Sequence, residues 1–288
     1  MKKRLCAVLL LLAMTLAACE TGQNAETGSP SPEPPDGPVL TAAPTPSPTP
    51  TAAVTPGPAP TDEPTPTPES VPTAAPVQLN DAYFDNALFI GDSIMEGIRQ
   101  YVAKNRSVEP TLSDARFLTS VAGVSIAGLA QNGMGFHYQG ADQSLQQILT
   151  QTAPARIFLM LGLNDLAAAD PDIAGIISNY GKLISQIREA VPGAEVIVMT
   201  NPPKVASGWL PDYTANRNFN NALIADFVEA LIQMCGDRGI PYVDTHQALQ
   251  DGNGALPDDY CRDGFVHIND AGSKIVVDAL YAFAGGRG

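Results

Sequence analysis

The sequence predicts an α/β fold: a five-stranded parallel sheet between two layers of helices, a three-layer sandwich. Two observations carry that expectation. Short apolar runs at Ala87–Ile90, Phe117–Val121, Ile157–Leu161, Val196–Thr200 and Ile240–Val243 have the length and content of strands buried on both faces. Between and after them, Ile94–Lys104, Ser144–Gln151, Ile173–Ala190, Asn216–Cys235 and Ala271–Phe283 carry helical patterning, the last stopping at Gly285-Gly286. Alternation of this kind builds parallel sheets, because a parallel neighbour is reached only by a crossover lying on a face.

Everything before residue 79 reads differently. Lys2, Lys3 and Arg4 precede an apolar run from Leu5 to Leu12, and Leu16-Ala17-Ala18-Cys19 closes the segment. Small residues before a cysteine resemble the bacterial lipobox, so 1–18 is read as a lipoprotein signal peptide and Cys19 as the acylated new N-terminus. The apolar run is too short for a spanning helix, which needs ~20 residues. Acylation would hold the protein on the outer face of the membrane without crossing it. Residues 19–78 read as a disordered Pro/Thr-rich tether. Seventeen of the 26 prolines lie between Pro30 and Pro76, with almost no large apolar residues to offset the entropy of ordering. Largely extended as polyproline II at ~3.1 Å per residue, it would reach on the order of 100 Å.

The remainder, 79–288, is large enough for one good core. It holds 23 of the 30 acidic residues and 13 of the 16 basic ones, a formal net charge of −10. That balance excludes nucleic acid as a natural partner. No His/Cys/Asp cluster has metal-ligand spacing, so neither metal nor organic cofactor is expected. A monomer is expected. Once the signal peptide is removed and Cys19 acylated, Cys235 and Cys261 are the remaining cysteines. In an oxidising exterior they could pair, or both could be small buried residues.

Chemistry gathers at three places. The first strand runs into Gly91-Asp92-Ser93-Ile94 and on into a helix, which sets Ser93 at that helix's N-terminus. There its hydroxyl can face solvent, and its backbone N–H can point at developing negative charge. Alone, Gly-Asp-Ser is also a common turn. The third strand runs into Gly162-Leu163-Asn164-Asp165, where Asn164 offers a carboxamide at a C-terminal strand end. Ligand sites in open parallel sheets lie outside such ends, where the strand order reverses. With the order 2-1-3-4-5, the flavodoxin-like one, Ser93 and Asn164 would face one another. The third place is Asp263-Gly264-Phe265-Val266-His267 before the last helix. A histidine held by a carboxylate is the usual general base for a serine hydroxyl. His246 is a rival to His267, and His137 reads as a surface or rim residue.

Taken together, these motifs resemble the SGNH/GDSL hydrolases, a likeness that covers Ala82–Phe283. Gly91-Asp92-Ser93-Ile94 matches the family's first block, with Ile where Leu is commoner. Gly123, in Val121-Ala122-Gly123-Val124-Ser125, stands where the second block places its glycine, with Gly128 nearby. Gly162-Leu163-Asn164-Asp165 matches the third block, and Asp263 with His267 the fifth. The resemblance implies Ser93 as nucleophile, His267 as base and Asp263 as its orienting acid. It also implies an oxyanion hole from the N–H groups of Ser93 and Gly123 and the amide of Asn164. One departure stands out: the family's acid commonly lies three residues before the histidine, here four. Asp259 or a backbone carbonyl could then support His267 instead.

The function so implied is a membrane-tethered serine esterase outside the cytoplasm, on the outer face of the bacterial membrane or in the cell envelope. Its partner would be an ester substrate, small acyl (acetyl) groups on envelope or extracellular polysaccharide. An O-acyltransferase would use the same residues, and a non-catalytic polysaccharide-binding lipoprotein would keep the scaffold alone. The lipobox gives a direct test. Cys19→Ala should move the protein out of the membrane fraction and leave the activity of the soluble domain unchanged; continued membrane association would refute acylation as the anchor.

Overall fold

In a computed structural model of the chain the described residues are 80–108, 111–120, 123–131, 133–208 and 218–287. The predicted signal peptide, Cys19 and the tether lie outside the described residues. In chain order the elements begin with β1 (Ala87–Gly91), α1 (Ser93–Asn105), β2 (Arg116–Thr119) and α2 (Ile126–Gln131). A hairpin of β3 (Gly135–Tyr138) and β4 (Ala141–Ser144) leads to α3 (Leu145–Thr152) and β5 (Arg156–Met160). Then come α4 (Leu163–Leu166), α5 (Ile173–Ala190), β6 (Glu195–Met199) and α6 (Asn221–Arg238). The chain closes with β7 (Tyr242–Val243), α7 (Thr245–Leu249) and α8 (Asp270–Gly285), and 3-10 turns lie at Asp81–Phe84 and Asp258–Tyr260.

The main sheet is parallel throughout, in the order β2-β1-β5-β6-β7. Numbered as the five predicted strands, that is the expected 2-1-3-4-5. Every residue of β1 is buried, as a central strand covered on both faces requires. Phe89 lies in register with Phe117 of β2 and Phe158 of β5 and stacks on both, with centroids 4.9 and 4.4 Å away. Phe84 extends this aromatic row to Tyr281 of α8. Each such ring removes roughly 2–3 kcal/mol worth of apolar surface from water. The layers follow from handedness. The chain leaves β1 through α1 to one side of the sheet and β5 through α5 to the other, so right-handed crossovers put α1 and α5 on opposite faces. α8 packs on α1, while α2, α3 and α6 pack on α5. No described helix is long and apolar enough to cross a membrane.

Several expectations change in detail. The helix expected from Asn216 starts at Asn221, with Asn220 as its cap, and the last strand shrinks to two residues. The β3–β4 hairpin and the short helices α2, α4 and α7 were not foreseen, because none is long enough to develop a period. Cys235 and Cys261 are both free thiols, so the disulfide is not formed. The fold gives the reason. Cys235 is fully buried on α6, while Cys261 sits in the loop against α8, in the opposite layer.

The two motif loops leave the sheet side by side, because Gly91 at the end of β1 pairs with Met160 at the end of β5. Close packing dictates the glycines there. A Cβ at Gly91 would lie 2.4 Å from that of Met95. Gly162 has φ +131°, and a Cβ there would lie 2.5 Å from the Phe227 ring. Gly162→Ala therefore carries both backbone strain and a clash, and should cost about 3 kcal/mol. A melting temperature equal to wild type would contradict this account of the turn.

Candidate active site

Asp92 is the N-cap of α1, its Oδ1 accepting from the N–H of Ile94 at 3.0 Å. Ser93 is the first helical residue, so its own N–H belongs to the unpaired set at a helix start. The partial positive end of a 13-residue helix lies under it. The Ser93 Oγ is 2.8 Å from Nε2 of His267.

His267 arrives on a loop that is itself a small antiparallel structure. Cys261 bridges Ile268, the N–H of Arg262 donates to the carbonyl of His267, and that of Asn269 to Tyr260. At its tip, Asp263 Oδ1 accepts from the N–H groups of Phe265 and His267, and Gly264 takes φ +71°. Asp263 Oδ2 then lies 2.5 Å from Nδ1 of His267. The four-residue spacing is absorbed by this turn. Asp259 contributes only its backbone carbonyl, to Asn269. Burial opposes ionisation of Asp263, but the hydrogen bonds from His267 and from the Phe265 and His267 N–H groups outweigh it and hold its carboxyl below the ordinary range. An ionised Asp263 only accepts, so it keeps the proton of His267 on Nδ1 and leaves Nε2 as an acceptor toward Ser93.

Asn164 stands in α4, just past β5, and its Nδ2 donates to the Val124 carbonyl at 2.9 Å and to Asp92 Oδ2 at 3.3 Å. It is thus bracketed by the residue before Ser93 and the residue after Gly123. Gly123 has φ +76°. Among the described residues, neither the Ser93 nor the Gly123 N–H has an acceptor. Gly128, the neighbouring alternative, lies inside α2, its N–H donating to Ser125 Oγ.

Two residues without an expected role hold this wall together. Asp165 is buried, and its carboxylate accepts from the N–H groups of Ile126 and Ala127 at the start of α2. That ties the segment after Gly123 to the Asn164 turn. Burial raises the Asp165 pKa, against those two bonds. Glu96, on the Ser93 side of α1, pins the helix to Thr119 at the end of β2. The Arg99 fork, helped by Thr119 and Gln100 and opposed by burial, holds the Glu96 carboxyl at about 2. The only sequence signal for Asp92 and Asp165 was their place inside the motifs. The rival histidines are engaged elsewhere: His246 is buried with Nδ1 on the Asn201 carbonyl, and His137 pairs with Asp142 on the exposed hairpin.

Residues 89–275 match the model of the GDSL-like lipase/acylhydrolase family. Among solved structures, the fold superposes on a Bacteroides fragilis protein described as an acylhydrolase, at TM-score 0.53 and 19% identity, over 70% of this chain and 86% of that one. It also superposes on a GDSL-like lipase from Bacteroides thetaiotaomicron, at TM-score 0.52 and 16% identity, over 70% and 87%. At such identities the likeness is one of fold. No curated protein sequence matches the chain.

Burial has a measurable consequence at Asp92. It is 2% exposed, and desolvation raises its pKa to about 6, against the Ile94 N–H and the nearby His267. The folded state therefore holds this proton more tightly than the unfolded chain, and stability conferred by the protonated acid is lost as pH rises from about 3.8 to about 6. Moving the carboxyl from about 3.8 to about 6 corresponds to about 3 kcal/mol. Urea unfolding should find wild type losing stability relative to Asp92→Asn between about pH 4 and pH 8, by up to that amount, because only the carboxylate takes on a buried charge as it ionises. A stability difference between the two that does not change with pH would contradict the buried-charge account.

Proposed function

Since the chain belongs to the GDSL-like lipase/acylhydrolase family and is a carboxylic-ester hydrolase, we propose that it removes small acyl groups, acetyl foremost, from polysaccharide of the cell envelope or its surroundings, working outside the membrane on a lipid anchor at Cys19. The observation that supports the chemistry best is the unbroken line from Ser93 Oγ through the His267 ring to Asp263, at the start of a helix. The lipobox and the proline-rich tether support the location, and location in turn supports the substrate class.

In this reading Nε2 of His267 takes the Ser93 proton as Oγ attacks the ester carbonyl carbon. Asp263 stabilises the imidazolium through Nδ1–H. The carbonyl oxygen, now carrying the charge, is met by the N–H groups of Ser93 and Gly123 and by Nδ2 of Asn164. Collapse breaks the bond to the sugar oxygen, which leaves with the proton from His267. Water, deprotonated by the same Nε2, then attacks the acyl carbon; the bond to Ser93 Oγ breaks, Oγ takes the proton back from His267, and the carboxylic acid leaves with Ser93 regenerated.

Hydrolysis of an aryl acetate, longer acyl esters and acetylated glycans by the purified chain tests both chemistry and acyl preference. Ser93→Ala should abolish fluorophosphonate labelling and bring hydrolysis to background, and His267→Ala should nearly match it, since groups acting as a unit give losses that do not add. Asn164→Ala should lose ~10²–10³ in kcat with a smaller effect on KM. Asp263→Asn should lose heavily with the fold intact. Full hydrolytic activity in Ser93→Ala would overturn the mechanism, and a preference for long acyl chains would overturn the acetyl assignment.

A further inference from the structure

Asp92 takes no part in the attack or the proton transfer, yet it is where the Ser93 turn touches the Asn164 turn. One carboxylate oxygen, Oδ1, caps α1 through Ile94; the other, Oδ2, accepts from Asn164 Nδ2. The second neighbour of that carboxamide is the Val124 carbonyl oxygen. The two ends of a carboxamide are nearly equal in size, so neighbouring chemistry decides which way it faces. Both neighbours here are acceptors. Turned over, Asn164 would set its own oxygen against a carbonyl oxygen and a buried carboxylate oxygen, leaving all three short of donors.

We infer that Asp92 is a positioning residue: it fixes the Asn164 carboxamide with its N–H₂, rather than its oxygen, on the oxyanion side of the site. Asparagine at position 92 could still cap α1 through its oxygen, but would then present its own N–H₂ to that of Asn164. Only a carboxylate caps the helix and accepts from the carboxamide at once. The bond to Asp92 is also the longer of the two that Asn164 makes, 3.3 against 2.9 Å. It is therefore the one that gives way when an oxyanion claims a share of the N–H₂, while the Val124 bond holds the orientation.

The catalytic consequence rests on the esterase reading; the orientation itself does not. The test has two arms. In the first, the side-chain N–H₂ resonances of Asn164, identified by their loss in Asn164→Ala, are followed by NMR in wild type and Asp92→Asn. They should shift well beyond those of other asparagines, whether or not the chain hydrolyses any ester tried. Unchanged Asn164 resonances would overturn the inference. In the second arm kcat and KM on an aryl acetate are compared in wild type, Asp92→Asn, Asn164→Ala and the double variant, with Asp92→Ala alongside as a second, smaller replacement. Asp92→Asn should lower kcat roughly 10–100-fold with KM within about twofold, and lower it less than about threefold when Asn164 is already alanine. Equal losses in both backgrounds, or wild-type kcat in Asp92→Asn, would show that Asp92 does not act through Asn164. If instead the wild-type chain hydrolyses no ester, or Ser93→Ala stays active, the esterase reading fails while the NMR arm still decides the orientation.

Discussion

The pairing of β1 with β5 sets the geometry on which the rest depends. Their register runs from Ala87 against Arg156 to Gly91 against Met160. A slip of one residue would turn every side chain to the other face. Phe89 prevents that slip, because it must stack on Phe158 and Phe117 at once. With the register fixed, Ser93 lies two residues past one strand and Asn164 four past its neighbour, at the same end of the sheet. Because both strands run the same way, both turns open into the crevice where the strand order reverses. The glycines at 91 and 162 let the turns come this close to Met95 and to Phe227.

Closeness alone would leave two loose turns, and buried carboxylates make them one wall. Asp92 caps α1 and reaches Asn164; Asp165 caps α2 and so holds the stretch after Gly123. Each satisfies donors of one motif with an acid from another. The arrangement is costly in isolation, since burial raises the pKa of both acids. It persists because each carboxylate oxygen has a donor, and a fully satisfied buried network rigidifies what it connects. Stability given up at these two positions is the usual counterpart of a site held in one geometry.

How much of this was legible beforehand divides along physical lines. The sheet was, because strands buried on both faces read as uninterrupted apolar runs, and Ala87–Gly91 is the clearest of them. Ser93, Asn164 and His267 were, because each stands at a junction where a pattern changes period. The roles of Asp92 and Asp165 were not, since what they do lies between loops remote in sequence: Asp165 meets Ile126 across 39 positions. The β3–β4 hairpin escaped because Gly135-Phe136-His137-Tyr138 is short and has one buried residue, so no alternation marks it. The state of the cysteines was not legible either, because pairing depends on which layer each occupies.

The acid–histidine loop has a different character from the wall it faces. Its rigidity is its own: a backbone bridge between Cys261 and Ile268, a turn closed by Asp263 on Phe265 and His267, and a capped α8 immediately after. Its other ties run to the segment after β6, through the N–H of Val205 on the Phe265 carbonyl and Phe219 against the Phe265 ring. Asp263 and His267 therefore reach the site already oriented to one another, and the Ser93–His267 hydrogen bond links that loop to the start of α1. That arrangement accounts for the tolerance of four residues between acid and histidine. The spacing has to satisfy only the inside of the loop, where Gly264 accommodates it, while the distance from Nε2 to Ser93 is set by how the loop docks on α8 and the segment after β6.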